Sequence, residues 1–114
     1  MENEIFADLA RSTGDLAGVF EYDGKTGYFY LYRTEGTGGA RVIDALHIVS
    51  GHIDFERNDV SIHWDGSETK VALSIRNTVW AVFDCISGQK FGGNYGVSER
   101  PIIPESIKFA KTSH

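Results

Sequence analysis

The chain has 114 residues, of which 41% are apolar and 24% charged, with a formal net charge of −5. A chain of that length buries roughly two-thirds of its unfolded surface, so a fold needs no disulfide or metal to support it. Lys and Arg are scattered with no basic run, which argues against nucleic acid as the main partner. No apolar stretch nears the roughly 18 residues of a membrane helix.

Ile5, Phe6 and Leu9 fall at helical spacing, so the segment from Glu4 to Arg11 predicts one or two turns of helix, followed by a lead-in to about residue 15. From Leu16 the period becomes two. Leu16, Gly18, Phe20 and Tyr22 share one face of a strand, and Ala17, Val19 and Glu21 share the other. Asp23-Gly24 turns the chain into a second, aromatic-rich strand, Gly27 to Arg33. Thr34 to Ala40 carries three glycines and reads as a flexible loop. Arg41 to Ser50 is the next strand, which Ile53 and Phe55 continue if Gly51 is a bulge.

Arg57-Asn58-Asp59 reads as a turn. Val60, Ile62 and Trp64 then alternate with polar residues, Asp65-Gly66 turns the chain, and Val71, Leu73 and Ile75 alternate again. This is a half-buried hairpin. Val79 to Ile86 is apolar on both faces except at Asp84, as a central strand should be. Gly92 to Gly96 reads as a mobile turn, and Ile107 and Phe109 suggest a last edge strand. No linker divides the pattern. The expected fold is one mainly-β domain over 1–114: a small antiparallel β-sandwich or partly closed barrel of six to eight strands, with a short N-terminal helix.

Three groups of residues invite a chemical reading. His47, His52 and His63 are metal candidates, but His47 and His52 are an odd number apart and face opposite ways in a regular strand, so no metal or other cofactor is expected. Asp44 and Asp84 sit inside apolar runs, and with His47 they form the weak candidate for acid–base catalysis. Each carboxylate is better explained as a residue at a strand edge or bulge, hydrogen-bonded to backbone or Arg. Cys85, the single cysteine, reads as a small buried hydrophobe. No serine elbow or phosphate loop is present. The best candidate for a binding face is Tyr28, Tyr30 and Tyr32, three aromatic residues with polar tips on one side of one strand.

Four segments carry a family resemblance: Ala17 to Gly24, Gly27 to Tyr32, Ile43 to Ile48, and Val79 to Asp84. Together they resemble the uncharacterised bacterial family called domain of unknown function 2251. The resemblance implies a small bacterial protein and brings no activity, cofactor or site residue with it. The acidic start, Met1 to Glu4, lacks the positive head of a signal peptide, and one cysteine makes no internal disulfide, so a reducing cytoplasm is expected.

The pattern favours a non-enzymatic protein-interaction module with a basic protein partner, in one version an immunity- or antitoxin-like domain. A small-ligand binder or small enzyme using Asp44, His47 and Asp84 is the alternative, and pairing of edge strands into a homodimer is a third route. Neither nucleic acid nor membrane is an expected partner.

Overall fold

A computed structural model describes residues 4–34, 41–97 and 103–104. Among the described residues eight antiparallel strands form two four-stranded sheets. In the first lie β1 (Ile5–Ala10), β2 (Leu16–Tyr22), β3 (Thr26–Arg33) and β4 (Arg41–Ser50). In the second lie β5 (Val60–Trp64), β6 (Lys70–Ile75), β7 (Thr78–Asp84) and β8 (Lys90–Gly92). Each sheet is a meander, its strands neighbouring in chain order. The sheets pack face to face as a sandwich, and among the described residues no closed barrel forms. No helix among the described residues is long and apolar enough to cross a membrane.

The core joins the inner faces of both sheets. Phe20, Phe29, Leu73, Ile75 and Phe83 are almost wholly buried, and Phe29 stacks on Phe83 from one sheet to the other with centroids 5.0 Å apart. Gly18 lies where side chains of the second sheet pack closely against the backbone of β2. A Cβ there would stand 2.8 Å from Val71 Cγ2 and 3.1 Å from Ile62 Cγ2, so a side chain would wedge the layers apart.

The expected N-terminal helix is instead β1. Helical spacing of Ile5, Phe6 and Leu9 misleads because Phe6 and Leu9 stay 56% and 43% exposed, while Ile5 and Ala7, two apart, are buried. Pairing with β2 from Ile5↔Tyr22 to Ala10↔Ala17 satisfies the backbone and overrides local propensity. Ile53 and Phe55 do not extend β4. Gly51 takes φ +85° and ends the strand, its carbonyl accepts from the Tyr22 hydroxyl at 2.6 Å, and Phe55 swings into the core beside Phe20. Arg57–Asp59 forms a single 3-10 turn.

The turn chemistry follows one rule. Asp23 Oδ1 accepts the N–H groups of Lys25 and Thr26, and Asp65 Oδ1 those of Thr69 and Lys70. Asp84 does the same for Ile86 and Ser87. These three aspartates each follow an aromatic residue at a strand end and hold the turn through side-chain-to-backbone bonds. The turn after β8 is stitched down rather than loose: Asn94 N–H donates to His47 O and Tyr95 N–H to Ile48 O. The loop expected over 34–40 lies outside the described residues from 35 onward, as does the expected edge strand at Ile107 and Phe109.

β6 departs from the half-buried expectation. Val71, Leu73 and Ile75 face the core, yet Ala72, Ser74 and Val82 on the other side are buried too. His63 sits on that second face, half-buried, with Nε2 2.9 Å from Ser74 Oγ. Burial lowers its pKa from the ordinary 6.5. A histidine that protonates less readily folded than unfolded contributes stability that is complete above about pH 6.5 and is lost as pH falls through the lowered folded value. The urea midpoint is therefore expected to fall between pH 7 and pH 5, and His63→Gln to flatten that slope. Equal slopes in the two proteins would refute this role for His63.

Candidate functional site

The outer face of the first sheet is built by the strand registers. Alternation along β3 sends Phe29 and Leu31 inward and Tyr28, Tyr30 and Tyr32 outward. The pairing then lays out three cross-strand rows. Phe6, Glu21, Tyr28 and His47 form the first; Asp8, Val19, Tyr30 and Ala45 the second; Ala10, Ala17, Tyr32 and Val42 the third. The tyrosines are half-buried and touch one another. Tyr28 and Tyr30 stack with centroids 5.9 Å apart, and Tyr32 meets Tyr30 edge-on at 6.1 Å. Tyr28 also meets the His47 ring edge-on at 5.4 Å. Beside this ridge, small residues on β2 make a low floor, with Ala17 and Val19 buried, while Phe6 and Val42 stand exposed toward the sheet margins.

The face is electrically biased. Asp8 and Glu21 are exposed upon it, and Asp23 sits at the hairpin end. Burial raises the Tyr30 phenol above its ordinary pKa, and the negative charge of Glu21 adds to the shift, with smaller contributions from Tyr32, Tyr28 and Asp23. The backbone N–H groups that hold Asp23 lower its pKa, so it stays charged at neutral pH. Among the described residues Glu21 makes no ion pair.

Asp44, His47 and Asp84 are not gathered into one constellation. Asp44 and Asp84 both line a cleft of about 270 Å³ at one end of the sandwich, with Arg11, Arg33 and Cys85. His47 does not line it. It lies on the outer face, with Nδ1 3.2 Å from Asn94 Oδ1 and Nε2 2.8 Å from Ser50 Oγ. Asp44 is bonded to Lys90 Nζ at 2.8 Å, and Asp84 is occupied in its turn. Arg11 is likewise committed, bidentate to Asp15 at 2.7 Å and 2.7 Å. In the same cleft Cys85 is half-buried, and burial pushes its thiol pKa up, away from the thiolate a nucleophile needs.

His47 and His52 line a second recess with Asp54 and Tyr95, whereas His63 belongs to the other sheet. Among the described residues no group of three or more His, Cys, Asp or Glu side chains is arranged to hold a metal ion. Tyr95 is a structural residue that sequence reasoning missed. Its ring packs between Phe55 and Trp80, its hydroxyl donates to Asp54 Oδ1 at 2.7 Å, and its pKa is pushed up to about 12 by burial and that bond. Glu21 was also passed over as a site residue. The register through Tyr22↔Gly27 places it opposite Tyr28, and that register was available from the Asp23-Gly24 turn.

The fold and this surface define an all-β, two-sheet domain that displays a row of aromatic residues on a solvent-facing sheet. It belongs to the DUF2251 family, uncharacterised proteins conserved in bacteria, whose family model matches residues 1–102. No curated protein and no solved structure shows a significant match to the chain.

Proposed function

We propose that this domain is a protein-interaction module whose binding surface is the outer face of the first sheet, centred on Tyr28, Tyr30 and Tyr32. The observation that carries this reading is the tyrosine ridge itself, three mutually packed rings held toward solvent by a rigid four-stranded sheet. Rings already ordered by stacking lose little freedom on binding, and tyrosine offers large area with a polar tip. The partner is a basic protein, since Asp8 and Glu21 share the face and the whole chain carries −5. An immunity- or antitoxin-like role, in which an acidic domain blocks a basic enzyme, is the form of this reading that the charge favours.

The test uses the immobilised domain with bacterial lysate and a Tyr28→Thr, Tyr30→Thr, Tyr32→Thr variant, threonine being a good strand former. The wild type is expected to retain a partner that elutes as salt rises, and the variant, shown folded by its thermal transition, to lose it. A partner held equally by both proteins, or no partner at any salt concentration, would refute the proposal. Tyr30→Thr alone provides a milder check should the triple variant unfold, with partial loss expected.

A further inference from the structure

A recess at the hairpin end of the outer face has a chemically specific lining. Glu21, Asp23, Thr26, Tyr28 and Tyr30 line an open recess of about 200 Å³. That is below the roughly 300–1,000 Å³ of pockets that engulf whole small ligands, and it suits the head of a single side chain. Two walls are aromatic rings stacked at 17° to one another. The rim carries two carboxylates of unequal commitment. Asp23 Oδ1 is held by the N–H groups of Lys25 and Thr26, while Glu21 makes no ion pair among the described residues. Lys25 at the hairpin tip is the domain's own cation in this region, and it acts on Asp23.

We infer that this recess receives the guanidinium of an arginine on an extended segment of the partner. The inference rests on the reading of the outer face as the binding surface and names what that surface recognises. A planar, weakly hydrated cation satisfies both parts of the lining at once: it lies against aromatic rings and bonds in bidentate fashion to a carboxylate. A lysine ammonium satisfies the charge but lacks the flat face. The ring centroids along β3 step by 5.9 Å and 6.1 Å. Alternate side chains of an extended peptide repeat at roughly 6.6 Å, so a strand-like segment running beside the ridge keeps pace with it. On β1 the exposed Phe6 and Asp8 lie in the same cross-strand rows as Tyr28 and Tyr30, so such a segment also meets an apolar and an acidic side chain there.

The probe is a capped peptide, Ac-Gly-Arg-Gly-Arg-Gly-NH2, titrated into the full chain and followed by two-dimensional NMR. Analogues carry lysine or the neutral isostere citrulline in place of arginine. The arginine peptide is expected to shift the signals of Glu21, Thr26, Tyr28 and Tyr30, with the lysine peptide weaker and the citrulline peptide at least tenfold weaker. Glu21→Gln, a surface change that leaves the fold intact, is expected to weaken the arginine peptide at least threefold. Equal binding of arginine and citrulline peptides, or shifts centred on the cleft of Asp44 and Asp84, would overturn the inference. If the peptides fail while the tyrosine variant still loses its partner, the arginine pocket falls and the binding face stands. If the tyrosine variant also keeps its partner, both fall together.

Discussion

Phe29→Ala is expected to cost about 3–5 kcal/mol of folding stability, the usual range for truncating a fully buried phenylalanine. Phe29 has no exposed surface, sits opposite Phe20 and Leu46 within its sheet, and stacks on Phe83 of the other sheet at 5.0 Å. Removing it opens a void between two layers whose backbones are pinned by hydrogen-bonded ladders, so little collapse can fill the space. A domain of this size holds roughly 5–15 kcal/mol in all, so the variant should unfold at a far lower urea concentration. The neighbouring contrast is Phe6→Ala, which removes a side chain 56% exposed on the outer face. Its stability cost should stay below about 1 kcal/mol, in line with exposed positions generally. Similar urea midpoints for the two variants would mean that the sheets are not packed through Phe29.

The second large effect is expected at Gly92, the last residue of β8. Its φ is +92°, and a Cβ there would fall 2.1 Å from the Trp80 carbonyl oxygen, far inside contact distance. That same oxygen accepts the Gly93 N–H at 2.8 Å, so it cannot withdraw without breaking a bond that ties the chain just beyond β8 to β7. Gly92→Ala should therefore cost about 2–4 kcal/mol, combining left-handed backbone strain with a backbone collision. Gly14 isolates the first component. It has φ +78° with nothing within 4 Å of a built Cβ, so Gly14→Ala should cost only about 1–2 kcal/mol. Because Tyr95 lies three residues further on and packs on Trp80, Gly92→Ala should also loosen that ring. Thermal melts of the two variants check the difference. Equal losses would show that β8 adapts freely.

Much of the sandwich was legible because its signals are local. At Asp23 and Asp65 a short acceptor side chain meets consecutive N–H groups, and the flanking residues alternate cleanly, so the β2–β3 and β5–β6 hairpins follow from the chain itself. β7 was recognisable because an interior strand must be apolar on both sides. β1 was not legible. Ile5, Phe6 and Leu9 suit a helix as well as a strand, and only pairing with β2, a contact made beyond the segment, decides between them. Gly51 was misjudged as a bulge because both outcomes need an unusual glycine, and the deciding bond comes from Tyr22, 29 positions earlier.

The candidate site divides in the same way. Alternation in β3 was enough to put the three tyrosines on one face, but which face meets water depends on where the second sheet packs. The separation of Asp44 from His47 follows from their odd spacing, since Asp44 pairs with inward Leu31 and His47 with outward Tyr28. That Asp44 and Asp84 share a cleft is a tertiary fact with no local signature. The resemblance to an uncharacterised bacterial family was carried by runs of strand residues, and the family match over 1–102 agrees with it.

The proposal that the outer face of the first sheet is the working surface is tested most directly by the footprint of a bound partner. Cross-saturation NMR, with the partner irradiated and the domain observed, reads which side chains lie against it. The expected footprint is Glu21, Tyr28, Tyr30 and Tyr32, continuing across the β2 floor toward Phe6 and Asp8. A footprint confined to the cleft of Asp44, Asp84 and Cys85 would contradict the account and return the function to the end of the sandwich.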